Sequence, residues 1–108
     1  MDIESLILVG KLGRTVKIKD KAGQFIEVEL STPSAEEVKK MGIGELDVAE
    51  FVAYFVVRIG DKIYGLEDRK VLQEGLGKIQ GVVLGYLNKQ CMELLAEQEK
   101  FVEELTKK

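Results

Sequence analysis

The chain contains no histidine and no tryptophan, and only one cysteine and one proline among 108 residues. The missing histidine removes the commonest general base, every Ser-His or Cys-His dyad and the ordinary zinc sites. Catalysis would have to rest on carboxylates, lysines, tyrosines or a single thiol, and no convergent set of these stands out in the sequence. We therefore expect no enzymatic activity, no cofactor and no metal. Cys91 has no partner for an internal disulfide, in keeping with a reducing compartment. No apolar run approaches the ~20 residues of a membrane span. Residues 6–9 are too short for a signal-peptide core and lack a basic flank and a small-residue cleavage site. A cytoplasmic location without membrane contact is the expectation.

A dominant charge is also lacking. The net charge is −3, and residues 1–32 hold five basic and five acidic groups, which is no footprint for nucleic acid. What is present is an ordinary globular composition, 45% apolar and 32% charged. One domain over residues 1–108 is expected, with a β-rich part (1–31) and a helical part (32–108).

Residues 14–30 read as a β-hairpin. Val16 and Ile18 alternate with polar neighbours, as do Ile26, Val28 and Leu30. Setting Ile18 opposite Ile26 also sets Val16 opposite Val28 and Lys17 opposite Glu27. The loop is then Lys21-Ala22-Gly23, with Gly23 in the left-handed position of a three-residue turn. The run at 6–9 favours a strand only weakly over a helix, because a continuous apolar run has no diagnostic period.

Helix starts follow. Thr32 with Pro33 at the first helical position, or Ser34 with Glu37 as a capping box, opens a short helix ending at Gly42. Asp47 and Glu50 open a second, expected to run to about Ile59 and to be apolar nearly all round. Residues 60–65 form a small exposed turn or mini-hairpin, and Glu67 or Asp68 caps a short helix to about Gln73. These carboxylates and Asp61 lack the spacing of a calcium loop, so capping explains them more simply.

The longest helical pattern spans residues 76–105. Within it Gly77, Gly81 and Gly85 fall four apart, so on one helix they would stack in a stripe, each at a cost of roughly 1 kcal/mol relative to alanine. Close approach of another backbone would offset that cost, in the subunit or between subunits, and Ala49 and Ala53 could face the stripe. The alternative is a bent or partly non-helical segment with glycines as loop residues. The glycines and Leu84 are assigned to helix packing or an oligomer interface. The first half, with Ile79, Val82 and Tyr86 on its far side, is expected to be buried. Leu87, Cys91, Leu94, Leu95, Phe101, Val102 and Leu105 form one apolar face, solvated behind from Asn88 onward. It reads as a surface for a protein partner or for homo-oligomer formation, against the alternative that it folds back on the chain's own core. Lys17 and Lys19, in the basic cluster with Lys11, Arg14 and Lys21, and Tyr64 on the exposed turn are secondary contacts. The simpler reading of the cluster is a solvated strand face balanced by Glu27 and Glu29.

The expected fold is α+β: an N-terminal hairpin or small antiparallel sheet on a mainly helical body with a long C-terminal helix. The order of parts, from hairpin through Thr32-Pro33-Ser34-Ala35-Glu36-Glu37 and the apolar helix to turn, acidic-capped helix and helical C-terminus, resembles the small tail assembly chaperones and related tail or baseplate proteins of tailed phages and prophages. The resemblance covers residues 14–105 and rests on element order. It implies a non-enzymatic cytoplasmic helper, in a bacterial host, that oligomerises and coats the tape-measure protein while the tail tube grows around it. A structural tail or baseplate component is one alternative. A small regulatory module binding nucleic acid through the basic strand is another.

Overall fold

A computed structural model describes residues 9–41 and 47–107. The strand tendency of residues 1–8 and the helix stop at Gly42 lie outside the described residues. Strands β1 (Gly13–Lys19) and β2 (Phe25–Ser31) pair antiparallel, with Ile18 opposite Ile26, Val16 opposite Val28 and Lys17 opposite Glu27, the register expected from the alternation. The Asp20 amide donates to the Gln24 carbonyl at 2.8 Å, which leaves Lys21-Ala22-Gly23 as the loop. Gly23 has φ +83°, a value that a side chain would disfavour. The Asp20 carboxylate adds bonds from the Ala22 and Gln24 amides.

After β2 come helices α1 (Ala35–Met41) and α2 (Val48–Ala53). Ser34 and Glu37 close the reciprocal capping box over α1. Thr32 is used differently: its hydroxyl accepts from the Leu12 amide, tying the chain entering β1 to the end of β2. Asp47 caps α2 through the Glu50 amide at 2.8 Å.

The helix expected over 47–59 ends early. Its second half is strand β3 (Val56–Ile59), and with β4 (Lys62–Ile63) it extends the hairpin into a four-stranded sheet in the order β1-β2-β3-β4. The reason is tertiary. The run from Val52 to Val57 is apolar without a break, so no period distinguishes helix from strand, and the open edge of β2 needs a hydrogen-bonding partner. A register shift between Glu29 and Leu30 lets β3 bulge past β2. The β3–β4 turn places Gly60 at φ +57°, the first central position of a two-residue hairpin loop.

A 3-10 turn (Leu66–Asp68) leads into α3 (Arg69–Leu76), and α4 (Gly81–Thr106) completes the chain. The helical pattern over 76–105 is therefore broken at 77–80. Gly77 is the C-terminal cap of α3, and Gly81 is the first residue of α4. The core joins the inner face of the sheet (Val16, Val28, Leu30, Val56) to α2 (Val52, Ala53), Phe55, α3 (Leu72, Leu76) and α4 (Leu87, Cys91, Leu94). This is the α+β arrangement expected.

Candidate functional site

The apolar stripe of α4 changes character along its length. Leu87, Cys91 and Leu94 are fully buried, and Leu84 and Leu95 pack at the edge of the same core. These five are core residues first, which for Leu87, Cys91, Leu94 and Leu95 is the alternative weighed from the sequence and for Leu84 is packing within the subunit. Seven residues beyond Leu94, on the same 120° sector of a 3.6-residue helix, the stripe emerges. Phe101, Val102 and Leu105 are 42%, 44% and 52% exposed. Thus the stripe leaves the core and continues on the last turns of α4 as a partly open surface.

Its N-terminal half departs from expectation. Val82 is 82% exposed, and Ile79 and Tyr86 also face solvent, so α4 is one-sided from its first turn. A Cβ added at Gly81 or Gly85 would meet nothing within 4 Å, so neither Ala49, Ala53 nor any other described residue packs closely on them. Gly77 lies on the preceding turn, where an added Cβ would sit 3.5 Å from the Gln73 and Glu74 carbonyls. The three glycines do not form one helical stripe, and they do not anchor α4 inside the subunit. They read as a helical pattern only because a four-residue spacing survives a short turn.

The hairpin carries a second surface. Glu27 and Glu29 do not balance its lysines: Arg58 on β3 takes both, bonding Glu29 at 3.0 Å and approaching Glu27 at 3.9 Å. Arg14 turns inward to Gln90 at 2.7 Å and to Glu93 and Glu97 of α4. Lys11, Lys17, Lys19 and Lys21 are left without a carboxylate partner among the described residues. Beside them Phe25 is 62% exposed and Ile26 40%, with the Lys19 ammonium 6.0 Å from the Phe25 ring. Tyr64 is not the open tyrosine expected. It is half-buried against the core, with Lys62 over its ring.

A third feature had no local signal in the sequence. A cleft of about 340 Å³ opens where the chain entering β1, the β2–α1 corner, the α2–β3 junction and Arg69 meet. The Arg69 guanidinium is inserted into the α2–β3 junction, where it donates to the Ala53 and Val56 carbonyls and pairs with Glu37. Its charge also lies 5.4 Å from the Tyr54 ring. Its Nε is buried without a partner among the described residues, as is the Ser31 hydroxyl. Residues from five separated segments build this corner, Gln98 of α4 among them, so no spacing in the chain announces it.

Cys91 is sealed in the core, and burial pushes its thiol up to about 12, so it is a protonated packing group at neutral pH. Among the described residues no cluster of His, Cys, Asp and Glu side chains is placed to hold a metal ion, and no helix is long and apolar enough to cross a membrane. Comparison of the chain with protein-family models, curated proteins and solved structures finds no match.

Proposed function

We propose that the protein works by contact, as a non-enzymatic assembly protein that associates head to tail with further copies of itself. The observation that carries this reading is the apolar stripe of α4, buried as far as Leu94 and open at Phe101, Val102 and Leu105. The hairpin supplies the complementary surface. The last turns of α4 hold Glu99, Glu103 and Glu104 among the open apolar residues, with Lys100 between them and Lys107 and Lys108 beyond the helix end. The hairpin offers Lys17, Lys19 and Lys21 around Phe25 and Ile26.

The two surfaces cannot meet within one copy. A Cβ on Gly10 would lie 3.8 Å from Val102, and the Gly10 carbonyl accepts from Gln98. Arg14, four residues on, reaches back to Gln90, Glu93 and Glu97. Strand β1 therefore runs opposite to α4 and carries the hairpin turn away from the helix end. A basic apolar tip at one end, and at the other an apolar tip with carboxylates beside Phe101, Val102 and Leu105, suit an open, heterologous contact.

Covering the remaining exposed area of each apolar residue contributes on the order of 1 kcal/mol. A handful of such residues only modestly exceeds the cost of association, so the contact is weak pairwise and gains from repetition. The order of elements supports a more specific reading: a tail assembly chaperone of tailed phages or prophages, whose further partner is the tape-measure protein. A structural tail or baseplate component is the alternative.

Sedimentation velocity from dilute to concentrated protein tests the self-association. The native chain is expected to shift to larger species as concentration rises. Phe101→Ser with Leu105→Ser is expected to abolish the shift while leaving the melting temperature of dilute protein nearly unchanged. A native chain that stays monomeric at the highest concentration would sink the proposal.

A further inference from the structure

Strand β1 stands at the end of the sheet order, so one of its edges has no strand beside it among the described residues. The register shows what that edge presents. The Asp20 amide donates to the Gln24 carbonyl at 2.8 Å and the Thr32 amide to the Leu12 carbonyl at 2.9 Å, and the pairing between them runs without a shift. In an antiparallel ladder the bonded positions alternate. Arg14, Val16 and Ile18 therefore spend their amides and carbonyls on β2. Gly13, Thr15, Lys17 and Lys19 turn theirs to the open edge, where no described residue meets them, and all of these residues are exposed.

An open ladder edge is a template for another strand, and its side chains select which strand. Lys17 and Lys19 share the outer face and have no carboxylate partner among the described residues. Ile18, between them, is half-buried on the inner face. A second copy fits poorly: two β1 edges related by a two-fold axis would bring the lysines of both together on one face. The chain's net charge of −3 disfavours a nucleic acid. A strand alternating acidic and apolar residues matches both faces, as β2 does on the other side with Glu27 opposite Lys17 and Val28 opposite Val16. We propose that the β1 edge takes up an extended segment of a partner protein, with Asp or Glu at alternate positions and apolar residues between them, as an added strand. This goes beyond the head-to-tail contact, which uses side chains of the hairpin and not the main chain of β1.

The test is amide hydrogen exchange, read by nuclear magnetic resonance at a concentration where the chain sediments as a monomer. The probe is the peptide acetyl-Thr-Glu-Val-Glu-Val-Glu-Thr-amide. In the free protein the Val16 and Ile18 amides should be protected and those of Thr15 and Lys17 should exchange fast. The peptide should slow Thr15 and Lys17 saturably. Two further peptides carry N-methyl groups, one on its glutamates and one on its valines. An added strand bonds β1 along one edge only, so only one of the two should bind. Thr15→Pro removes a donor that faces the open edge and leaves the β2 ladder whole, a position where a strand tolerates proline. It should abolish peptide binding and, with the lysines, Phe25 and Ile26 intact, leave self-association as it is. The methylated peptides keep the test independent of how well that variant folds. Lys17→Gln with Lys19→Gln should weaken binding roughly tenfold. Equal binding by both methylated peptides, or unchanged exchange at Thr15 and Lys17, would overturn the proposal. An oligothymidylate that displaces the peptide and also binds Thr15→Pro would overturn it in favour of nucleic acid. Thr15 and Lys17 amides that become protected as the free protein is concentrated would overturn it in favour of a second copy.

Discussion

Replacing Gly85 by alanine should make this protein more stable. Gly85 lies in the second turn of α4, with a helical neighbour on each side and no positive φ. A Cβ built there meets no atom within 4 Å, so the new methyl group is not strained. The gain is the difference in helix propensity, about 0.8–1.0 kcal/mol, much of it from reduced freedom of the unfolded chain. For a chain of this size that corresponds to roughly 4–8 °C in melting temperature. Calorimetry on dilute protein reads the effect without contributions from association. Two controls bracket it. Gly60→Ala forces a side chain onto φ +57° and should destabilise, by roughly 1 kcal/mol. Gly77→Ala adds a Cβ at van der Waals distance from two carbonyls at the end of α3 and should gain less than Gly85→Ala. The same variant separates two possible interfaces. If association uses the hairpin and the end of α4, Gly85→Ala leaves it unchanged. If copies meet through the face of Gly81, Gly85, Val82 and Tyr86, the added methyl holds their backbones apart and association falls. A lowered melting temperature in dilute solution would refute the open-surface placement itself.

Further expectations follow from the core and the Arg69 corner. Glu37→Ala removes both the partner of Arg69 and half of the α1 capping box, in a pair whose side chains are each only 16% exposed. A buried charge stripped of its partner costs about 3 kcal/mol or more, so the melting temperature should fall by roughly 10–20 °C, measured by circular dichroism. Cys91 should resist thiol reagents at pH 8 in the native state and react on unfolding. Its thiol pKa rises from 9.0 to about 12 on folding, so the folded state holds the proton longer than the unfolded one. The stabilisation from this is complete below about pH 9 and is lost as pH rises toward 12, by about 1.4 kcal/mol per pH unit. Urea unfolding of the native chain and of Cys91→Ala across that range isolates the slope, which the variant should lack.

The hairpin was legible because two independent signals agree on one register: the alternation about Val16, Ile18, Ile26 and Val28, and a glycine where the turn needs one. The caps at Ser34 and Asp47 were legible because capping is local. Strand β3 was not. Val56 and Val57 continue the apolar run of α2, and only the open edge of β2, remote in sequence, selects strand there. The break before Gly81 was hidden for a related reason: glycines four apart fit a helix and also fit a helix end, a turn and a new helix start. The exposed end of α4 was half legible. Its apolar stripe is plain in the sequence, but where the core stops covering it depends on how far β1 reaches along the helix, which Arg14 and Gly10 reveal only in three dimensions. The same limit hid the cleft, since Lys11, Ser31, Tyr54 and Arg69 come together only through the fold.

The head-to-tail contact is tested most directly by a reciprocal charge swap. One variant carries Lys17→Glu and Lys19→Glu on the hairpin, and a second carries Glu99→Lys and Glu103→Lys at the end of α4. Each alone should lose concentration-dependent association, because carboxylates then face carboxylates, or lysines lysines, across the contact, and an equimolar mixture of the two should recover it, with recovery weakened by salt. Sedimentation of the two variants apart and together is the measurement. Variants that associate like the native chain on their own, or a mixture that remains monomeric, would contradict the account.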